Sequence, residues 1–109
     1  MELQNEIARD LLRIKAVQIK TEGYFTWTSG IKSPIYCDNR LTMSYPDIRQ
    51  KLTKAFLQKL AELNIQPDVI AGCATAGIPH AAWLASELNI PMIYVRSKPK
   101  GHGKGNQIE

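Results

Sequence analysis

A chain of 109 residues has room for one small domain and not for two. With 44% hydrophobic and 22% charged residues it reads as globular rather than disordered, and its apolar runs stop well short of a membrane span. Fourteen Lys and Arg stand against ten Asp and Glu, and four of those cations, with no acid, fall in residues 96–105.

Outside that strip the chain carries equal numbers of each sign. The opening run Met1-Glu2-Leu3-Gln4-Asn5-Glu6 is acidic and polar, the wrong composition for a secretory signal. Two cysteines, Cys37 and Cys73, lie far apart, and there are two histidines. That combination offers neither a disulfide framework nor a Cys/His metal site and points to a reducing, cytoplasmic setting.

Residues 2–18 are predicted to form an amphipathic helix: Leu3, Ile7, Leu11 and Ile14, with Ala8 and Leu12, recur at spacings of three and four. Gly23 ends that region. Tyr24-Phe25-Thr26-Trp27 reads as a strand, Ser29-Gly30 as a turn and Ile35-Tyr36-Cys37 as the returning strand, a small aromatic flap that needs other elements to stand. Ser44 starts a second helix, with Asp47 three residues on and Pro46 in the first turn. Ile48, Leu52, Ala55, Phe56, Leu60 and Leu63 form its apolar face, and Lys51, Lys54 and Lys59 its solvated one. Asp68-Val69-Ile70-Ala71-Gly72 is a short apolar strand and Cys73-Ala74-Thr75-Ala76-Gly77 a loop of small residues. A helix follows over residues 78–88, with Pro79 at its start. Asn89-Ile90-Pro91 breaks it, and Met92-Ile93-Tyr94-Val95 is a second strand. Strand, tight loop, helix and strand make a βαβ unit, hence a parallel sheet.

Two parallel strands cannot complete a sheet covered on both faces, so the expectation is an incomplete α/β domain over residues 1–109. Its parts are a helix and hairpin (1–42), a helix plus the βαβ unit (43–95) and a basic loop (96–109). Ligands of open α/β sheets bind beyond the carboxyl ends of the strands, and two anion-compatible segments leave that edge here. After the first strand come small residues and a helix N-terminus, whose N–H groups and dipole favour anions. After the second comes Arg96-Ser97-Lys98-Pro99-Lys100-Gly101-His102-Gly103, a glycine-laced cationic strip suited to closing over a diphosphate or a nucleic-acid backbone. From composition alone, a solvated tail fits equally.

Three stretches resemble orotate phosphoribosyltransferase, of the type I phosphoribosyltransferases. They are Thr28-Ser29-Gly30-Ile31-Lys32-Ser33-Pro34-Ile35-Tyr36, the run from Asp68 through Pro79, and the strip from Arg96 to Gly103. The resemblance spans the chain and implies the N-terminal part of that fold, a parallel sheet with flanking helices plus a small hood hairpin. It implies transfer of ribose 5-phosphate from phosphoribosyl diphosphate to N1 of orotate, giving orotidine 5'-monophosphate and diphosphate in pyrimidine biosynthesis. By the same resemblance Lys100 and His102 are catalytic. Arg96, Lys100, His102, Thr75 and Ala76 contact the diphosphate donor, and Tyr36 and Cys37 lie beside the orotate pocket. Mg²⁺ arrives mainly through the diphosphate, with no side chain assigned to it. A homodimer is implied in which lid residues reach the partner's active site.

Two departures limit the match: some relatives carry lysine where this chain has Thr28 and Ala76, and the acidic pair with a Thr/Gly-rich loop that grips the ribose phosphate lies beyond residue 109. The 109-residue chain is therefore expected to be inactive alone. Lys98 or the backbone stands in for the missing lysines. Trp27, Phe56 and Trp83 are read as packing, His80 as structural, Cys73 as a small buried thiol and Lys32 as solvated. Asp38 and Arg40 either pair with each other or meet a dimer partner. The competing functions are a regulator that binds phosphoribosyl diphosphate without catalysis and a basic nucleic-acid-binding module. The strip's lack of aromatics and the neutral remainder weigh against nucleic acid, and no membrane partner is expected.

Overall fold

The computed structural model describes residues 2–98 and 107–109. The chain divides into two compact units, residues 1–52 and 53–109.

In the first unit, α1 (Leu3–Arg13) is followed by β1 (Val17–Ile19), β2 (Phe25–Thr26), β3 (Lys32–Ser33) and β4 (Ile35–Cys37). A 3-10 helix, Asn39–Ser44, leads into α2 (Pro46–Glu62), which crosses the boundary between the units. The predicted stripe of α1 is present: Ile14 is buried, with Leu11 packed beside it, whereas Ala8 and Leu12 face solvent. The helix stops five residues earlier than its periodicity implies. Lys15 turns left-handed at φ 64°, and the chain re-enters as β1.

That strand changes the predicted hairpin. Phe25 pairs with Ser33 and Thr26 with Lys32, so the tight turn at Ser29-Gly30 joins β2 to β3, with Gly30 at φ 90°. Tyr36 and Cys37, however, return against β1, with Val17 opposite Cys37 and Ile19 opposite Ile35. Pro34 stands between the two ladders and accepts a hydrogen bond from Lys20 N–H at 2.8 Å. Ile14, Ala16 and Ile48, with Leu11 and Leu52, form the core of this unit. Ion pairs brace it, Lys51 Nζ reaching Asp10 Oδ2 at 2.7 Å and Arg13 reaching Asp10 Oδ1 at 3.3 Å. Lys51 is therefore a structural cation rather than part of a solvated face. The Lys51 hydrogen bond, ahead of the Arg13 one, holds the Asp10 carboxyl below its ordinary range despite partial burial.

The start of α2 also differs in detail. Ile48 and Arg49 N–H both donate to Tyr45 C=O at 3.0 Å, so Tyr45 rather than Ser44 closes the first turn, and Ser44 ends the 3-10 helix. Phe56 and Leu63, expected on an apolar face, are 49% and 56% exposed.

The second unit is built on β5 (Ile70–Cys73), α3 (Gly77–Leu88) and β6 (Met92–Val95). The strands are parallel, Ile70 opposite Met92 and Cys73 opposite Val95, which is the predicted βαβ unit. Ala81, Leu84 and Ala85 are the buried face of α3, and Asn89, left-handed at φ 56°, ends it. Residues 107–109, read from sequence as part of a loop, lie antiparallel against β6. Tyr94 and Glu109 exchange two backbone hydrogen bonds of 2.8 Å, and Arg96 N–H donates to Gln107 C=O at 2.7 Å.

Candidate functional site

The parallel register places the carboxyl ends of β5 and β6 side by side. Ala74 N–H donates to Val95 C=O at 2.8 Å, one step beyond the last paired residues. Thr75 and Arg96 therefore leave the same edge of the sheet as immediate chain neighbours of that bond. Thr75 and Ala76 are exposed, and the Ala74–Thr75 peptide is cis. Ala76 takes the N-cap position of α3 with no side-chain cap. In the first turn of α3 the Ile78 N–H donates to Thr75 C=O at 3.1 Å and Pro79 has no N–H, so what this turn brings to the loop's end is chiefly the positive end of the helix dipole. The edge thus combines the positive end of a helix dipole with a guanidinium, two features that stabilise an anion independently.

The small residues divide into two roles. Cys73 belongs to β5 and Gly77 to α3, so the predicted loop shrinks to Ala74, Thr75 and Ala76. A Cβ on Gly72 would stand 2.8 Å from Ala81 Cβ, 3.0 Å from Gly77 O and 3.2 Å from Ile78 Cα. Gly72 is small so that α3 can lie against the strand, not so that a ligand can approach. At Gly77 the nearest atom, Cys73 Cβ, would be 3.6 Å away, an ordinary contact. Cys73, expected to be buried, is exposed at the strand end.

Arg96 is held from two sides. Its guanidinium carbon lies 5.8 Å from the Tyr94 ring centroid, and its Nε lies 3.9 Å from Glu109 Oε1. Gln107 Nε2 donates to Arg96 C=O at 3.0 Å. Sequence reasoning missed Tyr94, Gln107 and Glu109, because a three-residue return leaves no periodicity to read. Lys100 and His102 lie outside the described residues.

Tyr36 and Cys37 belong to the first unit. Both are exposed on β4, and Tyr36 packs its ring 5.8 Å from Phe25. Lys20 Nζ sits 4.5 Å from the Phe25 centroid, and Trp27 Nε1 donates to Ile35 C=O at 3.0 Å, so the aromatic flap is fastened to the β1–β4 ladder. Asp38 and Arg40 pair with each other, Nε to Oδ1 at 2.7 Å and the terminal nitrogen to Oδ2 at 2.9 Å. That bond keeps the Asp38 carboxyl below its ordinary range. His80 stacks edge-on to Trp83 at 5.3 Å, and burial pushes its pKa down. This agrees with a packing role for both rings.

A phosphoribosyl transferase domain matches residues 44–109, more than half of the chain, and the chain belongs to that family. It is 65% identical over 107 residues to an orotate phosphoribosyltransferase of Oceanobacillus iheyensis, covering 98% of this chain and 53% of that protein. It is also 58% identical over 109 residues to the orotate phosphoribosyltransferase of Listeria innocua, covering 100% of this chain and 52% of that protein. Among solved structures, an orotate phosphoribosyltransferase from Aeropyrum pernix superposes with a TM-score of 0.73 at 34% identity, over 94% of this chain and 56% of that one. The chain spans about half the length of the curated relatives it matches. The family resemblance drawn from the sequence motifs, and the type I fold with it, are borne out.

Proposed function

We propose that this chain carries the donor-binding and hood portions of an orotate phosphoribosyltransferase. The observation that carries the reading is the shared sheet edge, where the Thr75-Ala76 loop and α3 N-terminus lie beside Arg96. Relatives of that name at 57–65% identity support the choice of base.

In this reading the bond from the ribose anomeric carbon to the diphosphate oxygen breaks as a bond to N1 of orotate forms. The electron pair departs with diphosphate, and the N1 proton of orotate is released. Positive charge builds on the sugar and negative charge on the leaving oxygens. Arg96 offers those oxygens a forked donor and Lys100 a compact charge, while His102 hydrogen-bonds to or protonates the departing oxygen. Thr75 and Ala76 bring backbone N–H groups to the same anion, and Tyr36 and Cys37 border the orotate. The glycines around His102 let the strip close, exclude water from the activated sugar and reopen for release. Among the described residues no group of three or more His, Cys, Asp or Glu converges on a point. In the same reading Mg²⁺ would arrive with the diphosphate and supply charge neutralisation. The same reading takes the protein as a cytoplasmic homodimer with the lid serving the neighbouring site. No helix among the described residues is long and apolar enough to cross a membrane.

The test is orotate consumption, followed by its ultraviolet absorbance, in the intact protein supplied with phosphoribosyl diphosphate and Mg²⁺. Turnover is expected, and Lys100→Ala or His102→Ala should each lower kcat by about 100-fold or more without lowering the melting temperature. Diphosphate release that ignores orotate would remove the assignment of the base. Binding to nucleic acid that weakens steeply with salt and needs no Mg²⁺ would replace it with the alternative function.

A further inference from the structure

We infer that Glu109 is the positioning residue for Arg96, fixing the guanidinium at the sheet edge so that it meets a diphosphate already oriented. The inference rests on reading Arg96 as a diphosphate contact. It is carried by a separate observation, the antiparallel return of residues 107–109.

Three backbone bonds and one side-chain bond secure that return. Tyr94 and Glu109 exchange a backbone pair, and Arg96 N–H donates to Gln107 C=O. Gln107 adds a side-chain bond to Arg96 C=O. The main chain on both sides of the ion pair is thereby fixed, and the Glu109 carboxylate is delivered to Arg96 without a long search by either side chain. The two facing atoms, Arg96 Nε and Glu109 Oε1, are both shielded from water. Yet 38% of the arginine side chain remains exposed. The Tyr94 ring lies against the same guanidinium. A carboxylate at the Nε side and an aromatic ring leave the rest of the fork for an incoming anion.

A free arginine loses rotamer entropy when it binds. One already held by a partly buried partner loses less. The shielding also separates this pair from a surface ion pair, whose contribution water and salt largely cancel. Glu109 touches neither donor nor base in this scheme and acts only through Arg96.

The experiment is a double-mutant cycle in the intact protein, read by calorimetric binding of inorganic diphosphate with Mg²⁺ and by steady-state kinetics. Glu109→Gln keeps size and backbone bonding and removes the charge. It should weaken diphosphate binding and raise KM for the donor by about three- to tenfold, with kcat within about twofold. In an Arg96→Ala background the same change should have no further effect. Glu109→Asp, which keeps the charge one methylene shorter, should recover part of the loss. Unchanged or tighter binding in Glu109→Gln overturns the inference, the latter by showing that the carboxylate competes with the anion. Equal weakening with and without Arg96 also overturns it, because a merely structural defect adds. If Glu109→Gln fails to fold, the Glu109→Asp cycle decides by the same criterion. Arg96-dependent diphosphate binding without orotate turnover would sink the proposed function and leave this inference standing. Turnover with an additive cycle would do the reverse.

Discussion

Adding one methyl group to Gly72 tests the packing that positions α3 against β5. The new Cβ would meet Ala81 Cβ at 2.8 Å, Gly77 O at 3.0 Å and Ile78 Cα at 3.2 Å. Two of these three are backbone atoms at the start of α3, so no rotamer change relieves the crowding and the helix must move. Overpacking of this kind costs about 1–3 kcal/mol, and replacing glycine by alanine inside a strand returns roughly 0.5–1 kcal/mol through backbone entropy. The net loss is therefore about 0.5–2 kcal/mol, or about 2–16 °C in melting temperature for a domain of this size. Thermal unfolding followed by circular dichroism reads it directly. Gly77→Ala is the matched control, because its nearest contact of 3.6 Å is ordinary, and it should melt at or a few degrees above the parent, since it gains backbone entropy without a clash. Equal melting temperatures for Gly72→Ala and Gly77→Ala would refute the reasoning. Diphosphate binding should fall with Gly72→Ala as well, since the same displacement moves the Thr75-Ala76 turn.

Ile48 is fully buried and packs with Ile14 and Ala16 in the first unit. Ile48→Ala should lower stability by about 2–4 kcal/mol in urea unfolding, with the larger value if the cavity stays open. Asp10, at 14% side-chain exposure, has its carboxyl pKa depressed below the ordinary 3.8, first by Lys51. A depressed folded value means that the stabilisation is fully present above the unfolded pKa and lost as pH falls through the folded one. Asp10→Asn should therefore destabilise at neutral pH, and the gap to the parent should narrow as pH drops from about 5 to below 3.8. A gap that widens on acidification would reverse the assigned sign.

The elements most legible in the sequence are those whose pattern runs long enough to count. The Leu3, Ile7, Leu11, Ile14 spacing located α1, and alternation of apolar runs with a helix located β5, α3 and β6. Short strands escaped. Ala16, Val17 and Ile19 continue an apolar trend that a helix reading absorbs, and only the left-handed Lys15 separates them. The pairing of β4 with β1 is non-local, whereas the Ser29-Gly30 turn dictates only the β2–β3 pair. One signal was available: Pro34 has no N–H to give a ladder, which marks a break between β3 and β4. Phe56 and Leu63 show the opposite limit, since a period of three or four says that a face is apolar without saying what covers it.

The candidate site was legible to the extent that topology dictates it. A parallel pair joined through one helix must present both carboxyl ends at one edge, so Thr75 and Arg96 become neighbours whatever the loop lengths. Which face Arg96 presents depends on something finer. Side chains alternate along a strand, and a slip of one residue between β5 and β6 would turn Arg96 to the other side of the sheet. The pairing of Cys73 with Val95 sets that choice on one flank. The backbone bonds of Tyr94 and Arg96 to residues 107 and 109 set it on the other. No single run of sequence contains both flanks, which is why Arg96 was identified from its charge while its partner Glu109 was not. A charge's address can be read from composition; its orientation is a property of register, and register is specified by residues distant along the chain.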